Sequence, residues 1–152
     1  MTVVFITGAS SGIGYATALA YAKSGANVAG TARRTERLQA LKTAIDNLPV
    51  GHGEFLPVTG DVCDVASIHN AIEQTIKQFG RIDILIANAG LGHRGSLIDS
   101  NWQDLETLLR TNLDGVLHTV RAGVPHMREQ GGGHIVFISS ITYKMVSPYA
   151  AI

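Results

Sequence analysis

The chain is expected to be an α/β protein: a doubly wound parallel sheet of five strands in the order 3-2-1-4-5, held in one domain over residues 1–152. Three observations lead there. Short apolar runs alternate with longer segments of helical spacing along the whole sequence, which implies right-handed crossovers and helices on both faces of a parallel sheet. The first run, Val3-Val4-Phe5-Ile6, is continuously apolar, as a strand buried on both faces is. It leads straight into Thr7-Gly8-Ala9-Ser10-Ser11-Gly12-Ile13-Gly14, a glycine-rich turn of the kind that joins a strand to a helix.

Each element has its own warrant. After the first strand, Val3–Ile6, a helix is expected from about Ile13 to Ser24. Ile13, Ala16 and Ala20 mark its inner face and Gly25 its left-handed stop. Asn27–Thr31 is the second strand. The second helix starts near Thr35 as N-cap and keeps Leu38, Leu41 and Ile45 on one face. Pro49 to Gly53 is a loop, and Phe55–Thr59 the third strand. Asp64 should cap a third helix in which Ile68, Ile72, Ile76 and Phe79 step by four or three, and Gly80 ends it. Ile82–Ala87 is the fourth strand. Ser100-Asn101-Trp102-Gln103 has the spacing of a capping box. It opens a long helix reaching roughly Glu129, with Leu105, Leu108, Asn112 and Val116 along one face and irregularities at Gly115 and Pro125. Gly131-Gly132-Gly133 separates that helix from the fifth strand, Ile135–Ile138.

Composition narrows the function classes. Apolar residues are 45% and charged residues 16% of the chain, enough apolar content for a packed core and against disorder. Twelve basic and twelve acidic residues leave no net charge, so no overall field favours nucleic acid or an anionic membrane. The single cysteine, Cys63, has no internal disulfide partner, which suits a reducing compartment. With no leader pattern before Val3 and no apolar run of membrane-spanning length, the chain is expected to be cytoplasmic. The six histidines show no ligand spacing, so no metal is expected. His93 and Arg94 fall on a loop near the expected crevice and are read as solvated.

The glycine turn is where chemistry enters. Glycines let the backbone bend tightly and come close to a phosphate without a Cβ in the way, and the helix that follows presents free N–H groups and its positive dipole end. In a doubly wound sheet the ligand crevice lies between strands 1 and 4 at their carboxyl ends. Further polar groups are expected at the same end: Asp61-Val62 after strand 3, Asn88-Ala89-Gly90 after strand 4 and Ser139-Ser140 after strand 5. By residue type alone Asp61 and Val62 also fit a helix-capping Asp and a core Val, and an Asn-Gly pair at a strand end is also ordinary turn chemistry.

Taken together, Gly8-x-x-x-Gly12-x-Gly14, Asp61-Val62, Asn88-Ala89-Gly90, Asn112 and Ile138-Ser139-Ser140 resemble, in order and spacing, the amino-terminal half of the short-chain dehydrogenase/reductase family, whose fold is Rossmann-like. The resemblance covers essentially the whole chain and implies an NAD(P)-dependent oxidoreductase. Such an enzyme would move a hydride between nicotinamide and a small-molecule alcohol or carbonyl substrate. It further implies that Gly8, Ser10, Ser11, Gly12, Ile13 and Gly14 wrap the cofactor phosphates. Asp61 would meet the adenine amino group and Val62 its ring, while Asn88, Ala89 and Gly90 would run along the ribose. Ser140 matches the family serine that orients the substrate oxygen, and Asn112 the asparagine that helps hold a water relay. Asn112 also fits a structural asparagine bonded to a backbone carbonyl, since it must find partners on an otherwise apolar face.

The end of strand 2 reads Gly30-Thr31-Ala32-Arg33-Arg34. An acid there suits a ribose 2′-hydroxyl, and a guanidinium a 2′-phosphate. Ala32 stands where NAD-using members carry Asp, so Arg33 and Arg34 make NADP the expected cofactor over NAD. The departure from the family is the Tyr-x-x-x-Lys motif. Its tyrosine is due thirteen residues after the serine, one position past Ile152, and neither Tyr143 nor Tyr149 has Lys four residues on. The chain is therefore expected to be the cofactor-binding, catalytically incomplete part of such an enzyme. Alternatives are a non-catalytic dinucleotide-binding module, or one chain of a split enzyme completed by a carboxy-terminal partner. A homo-oligomer is compatible with each.

Overall fold

A computed structural model describes residues 1–140, in which five strands and five helices alternate. Val3–Thr7 (β1) leads through the glycine turn to Gly12–Lys23 (α1), then Asn27–Ala32 (β2), Thr35–Asp46 (α2), Phe55–Thr59 (β3), Val65–Phe79 (α3) and Ile84–Ala87 (β4). Trp102–Leu109 (α4) passes through a π-helical turn, Arg110–Asp114, into Gly115–Glu129 (α5), and His134–Phe137 (β5) follows. All strands are parallel and their order is β3-β2-β1-β4-β5, as expected. The order reverses between β1 and β4, which opens a crevice at their carboxyl ends. No helix among the described residues is long and apolar enough to cross a membrane.

Two apolar layers sandwich the sheet. Strand side chains alternate, so Val4 and Ile6 of β1 face Ala18, Leu38, Leu41 and Ile45 of α1 and α2, whereas Phe5 faces Ile68, Ile72 and Met127 of α3 and α5. All five β1 residues are buried, which explains the unbroken apolar run in the sequence. The predicted faces of α2 and most of α3 hold. Leu38, Leu41 and Ile45 are fully buried, and so are Ile68 and Ile72, with Ile76 and Phe79 packed at the margin. Asp64 caps α3 by accepting from the Ala66 N–H, and Gly80 ends it at φ 79°. Gly25 takes φ 87° after α1.

Several expectations are corrected. The buried face of α1 is Gly14, Ala18 and Ala22, not Ile13, Ala16 and Ala20. Apolar residues surround this helix, so periodicity alone cannot choose a face; close approach to the sheet selects the small ones. Ile13 is 60% exposed. Thr35 is the first helical residue of α2 and not its cap, because its hydroxyl is bonded to that of Thr59 at 2.8 Å. The cap of α4 is Asn101, accepting from the Gln103 N–H, whereas the Ser100 hydroxyl donates to the Ser96 carbonyl. Strand β4 begins at Ile84, since the backbone of Ile82 is taken by the Gln130 side chain. Strand β5 is shifted one residue earlier than expected.

The long helix differs most. Its irregularity falls at Arg110–Asp114, while α5 continues through Pro125. A π turn inserts about one extra residue at Arg110–Asp114. The buried stripe runs from Leu105 and Leu108 to Thr111, Gly115 and Thr119, and Asn112, next to it, is exposed.

Candidate functional site

The crevice is a cleft of about 440 Å³ at the carboxyl ends of the strands. Twelve of the residues singled out from sequence line it: Gly8, Ser10, Ser11, Gly12, Ile13, Arg33, Arg34, Asp61, Val62, Asn88, Ala89 and Gly90. Gly14, Asn112 and Ser140 stand outside its lining. Gly14 packs α1 against the turn, Asn112 lies behind the cleft wall, and Ser140 follows β5 at the same end of the sheet.

The floor is a tightly crossed backbone. The Gly8 and Ala9 N–H groups donate to the Thr31 carbonyl at 2.8 and 3.2 Å, tying the turn to β2. Gly8 takes φ 71°, and a Cβ on it would lie 2.8 Å from Ala89 Cα, so only glycine fits. Gly12 takes φ 56° with open space where a Cβ would project. The Asn88 side-chain amide donates to the Thr7 carbonyl at 2.9 Å and leans toward that of Gly8. Sequence reasoning missed Thr7. Its buried hydroxyl accepts from the Asn88 and Ala89 N–H groups at 3.0 and 3.1 Å, so β1 and β4 are laced together just below the crevice.

One wall carries the cations. Arg34 Nη2 donates to Ser10 Oγ at 3.0 Å and to Ser11 Oγ at 2.7 Å. No acid stands among Gly30, Thr31, Ala32, Arg33 and Arg34. At the N-terminus of α1, Ser11 makes no side-chain cap and the first turn holds no acid. The free N–H groups of that turn face the cleft uncancelled. The opposite wall is Asp61-Val62. The Asp61 carboxylate accepts from the Cys63 N–H at 2.9 Å, and Asp64 does the capping, so Asp61 is not the helix cap. Val62 is buried and packs on Gly115, where a Cβ would fall 2.7 Å from Val62 Cγ2. Glycine at 115 thus serves close packing. The His118 ring donates through Nδ1 to the Val62 carbonyl at 2.9 Å, a support that spacing alone could not reveal.

Asn112 has found its partners. Its Oδ1 accepts from the Leu91 N–H and its Nδ2 donates to the Leu91 carbonyl, both at 2.8 Å. The π turn aims this amide at the chain leaving β4, and Leu91 lines the cleft. Asn112→Ala is expected to speed hydrogen exchange at the Leu91 amide about tenfold and to lower stability by about 1 kcal/mol. Unchanged exchange at Leu91 would contradict this role.

A glycine cradle, an uncapped helix start and two arginines on one side of a doubly wound crevice define a nucleotide-binding type of α/β fold. The chain belongs to the short chain dehydrogenase family, whose model matches residues 2–152. It is 36% identical over 150 residues to an uncharacterised oxidoreductase of Staphylococcus saprophyticus, covering 99% of this chain and 59% of that one. An alcohol dehydrogenase from the archaeon Thermococcus sibiricus complexed with 5-hydroxy-NADP superposes with a TM-score of 0.89 and 31% identity, over 99% of this chain and 63% of that one. An NAD+-bound xylitol dehydrogenase gives 0.92 and 28%, over 99% and 57%. The chain thus spans little more than half the length of these relatives.

Proposed function

We propose that residues 1–152 form the dinucleotide-binding domain of an NADP-dependent oxidoreductase acting on a small-molecule alcohol or carbonyl compound in the cytoplasm. The observation that carries this reading is the cation-rich wall: Arg33 and Arg34 border the same cleft as the uncapped start of α1, with Ala32 in place of an acid. A dinucleotide fits what is present. The pyrophosphate would take the N–H groups of Ser11, Gly12 and Ile13, where the missing Cβ of Gly12 leaves room. Adenine would lie between Val62 and the arginine wall, within reach of Asp61. The Thr31 hydroxyl, buried with no partner among the described residues, lies at this wall beside Gly60.

The nicotinamide, when bound, supplies or accepts the hydride. This chain's residues then bind and orient. Asn88, Ala89 and Gly90 hold the ribose side of the crevice, and Asn112 fixes Leu91. Ser140 would orient the substrate oxygen by a hydrogen bond. The proton itself needs the family's Tyr-x-x-x-Lys pair. Tyr15, Tyr21 and Tyr143 are followed four residues on by Leu19, Gly25 and Ser147, and Tyr143 and Tyr149 lie outside the described residues. The relatives being longer, that pair is assigned to a further stretch of the polypeptide or to a complementing chain.

Isothermal titration tests the cofactor assignment. NADPH is expected to bind about tenfold or more tightly than NADH, because a 2′-phosphate gains charge-assisted bonds that a hydroxyl cannot make. Equal affinities would remove the preference for NADP.

A further inference from the structure

Arg33 and Arg34 are neighbours in sequence, yet the structure gives them different partners. Arg34 spends both hydrogens of Nη2 on the hydroxyl oxygens of Ser10 and Ser11, whereas Arg33 has no hydrogen bond or ion pair to any described residue. A guanidinium only donates, so each serine oxygen is held as an acceptor, facing the β2–α2 turn.

The consequence is sharpest at Ser11, the N-cap position of α1. A serine there ordinarily turns its oxygen onto the N–H of the second or third helical residue, here Ile13 or Gly14. Ser11 makes no such bond. Its oxygen is 2.7 Å from Arg34 instead. Self-capping would place that oxygen, with its partial negative charge, on the N–H groups an anion would use.

We infer that Arg34 is a positioning residue that keeps the anion seat open. It draws Ser11 away from capping its own helix and pins Ser10 beside it, so the first-turn N–H groups of α1 stay free for a phosphate diester. Recognition of the 2′-phosphate is left to Arg33. This division of labour rests on the dinucleotide reading above and goes beyond it, because it assigns Arg34 to every dinucleotide, with or without a 2′-phosphate.

The magnitude follows from what a serine cap is worth, on the order of fivefold in an equilibrium. Arg34→Ala is therefore expected to weaken NADPH and NADH alike by about fivefold. Ser11→Ala placed on top of Arg34→Ala removes the competing cap and is expected to bring both affinities back toward the parent. The ligand-free chain supplies a readout that needs no nucleotide. In Arg34→Ala the amide resonances of Ile13 and Gly14 should shift and their exchange should slow as Ser11 caps them, and the added Ser11→Ala should reverse both. Loss of NADPH affinity alone would make Arg34 a direct phosphate ligand and overturn the proposal. Unaltered Ile13 and Gly14 amides in Arg34→Ala would overturn it as well. If the parent chain binds neither nucleotide, the dinucleotide reading fails while the amide shifts still decide whether Arg34 restrains Ser11.

Discussion

Gly14→Ala is expected to destabilise the protein by about 3 kcal/mol and to abolish dinucleotide binding. A methyl group at Gly14 would collide with the Gly8 carbonyl and the Asn88 side-chain amide. Neither can retreat cheaply. Gly8 is itself pressed against Ala89, and Asn88 is bonded to the Thr7 carbonyl. Helix α1 must therefore lift from the sheet, and the free N–H groups at its start lose their aim. Gly12→Ala is the informative contrast. Gly12 takes φ 56°, which costs an L-residue about 1–2 kcal/mol, but no atom lies near the new methyl. That variant should fold with a modest loss and bind poorly, because the methyl projects into the cleft. Chemical denaturation of the two variants separates these cases. Equal stability losses would contradict the packing role of Gly14.

Arg33→Asp is expected to weaken NADPH by about a hundredfold, close to 3 kcal/mol, and to leave NADH equal or tighter. The substitution removes a guanidinium from the cleft wall and supplies the carboxylate that a 2′-hydroxyl can bond and a 2′-phosphate cannot approach. Arg33 is exposed and has no partner among the described residues that its loss would strand, so the fold should be untouched. Titration with both nucleotides reads the ratio directly. A parallel fall in both affinities would place Arg33 outside cofactor discrimination.

What the sequence disclosed, and what it did not, divides along physical lines. Strands buried on both faces leave continuous apolar runs, so β1 and the sheet order were legible from Val3 to Ile138. Polarised helices such as α2, with Leu38, Leu41 and Ile45, showed their inner face. Caps made by short polar side chains, Asp64 above all, also have a local signature. The face of α1 was hidden because a helix rich in alanine has no polar side to exclude. The π turn was hidden because one added residue leaves no mark on composition, yet Asn112 lies within it. Twelve of the residues singled out from sequence line one cleft because strand ends and the turn after β1 converge there, while Gly14, Asn112 and Ser140 stand outside its lining. Their mutual contacts were not legible. Arg34 on Ser10 and Ser11, Thr7 beneath Asn88 and His118 behind Val62 join positions between 23 and 81 residues apart, and no local pattern encodes such pairs.

The central claim is that the backbone between β1 and α1 holds a nucleotide's pyrophosphate. Amide chemical shifts of the isotopically labelled chain, followed during titration with NADPH, test it most directly. The largest changes should fall on Ser11, Gly12 and Ile13, with smaller ones at Val62 and Ala89. Changes confined to the loop around Leu48 and His52, at the amino ends of the strands, or none at saturating NADPH, would contradict it.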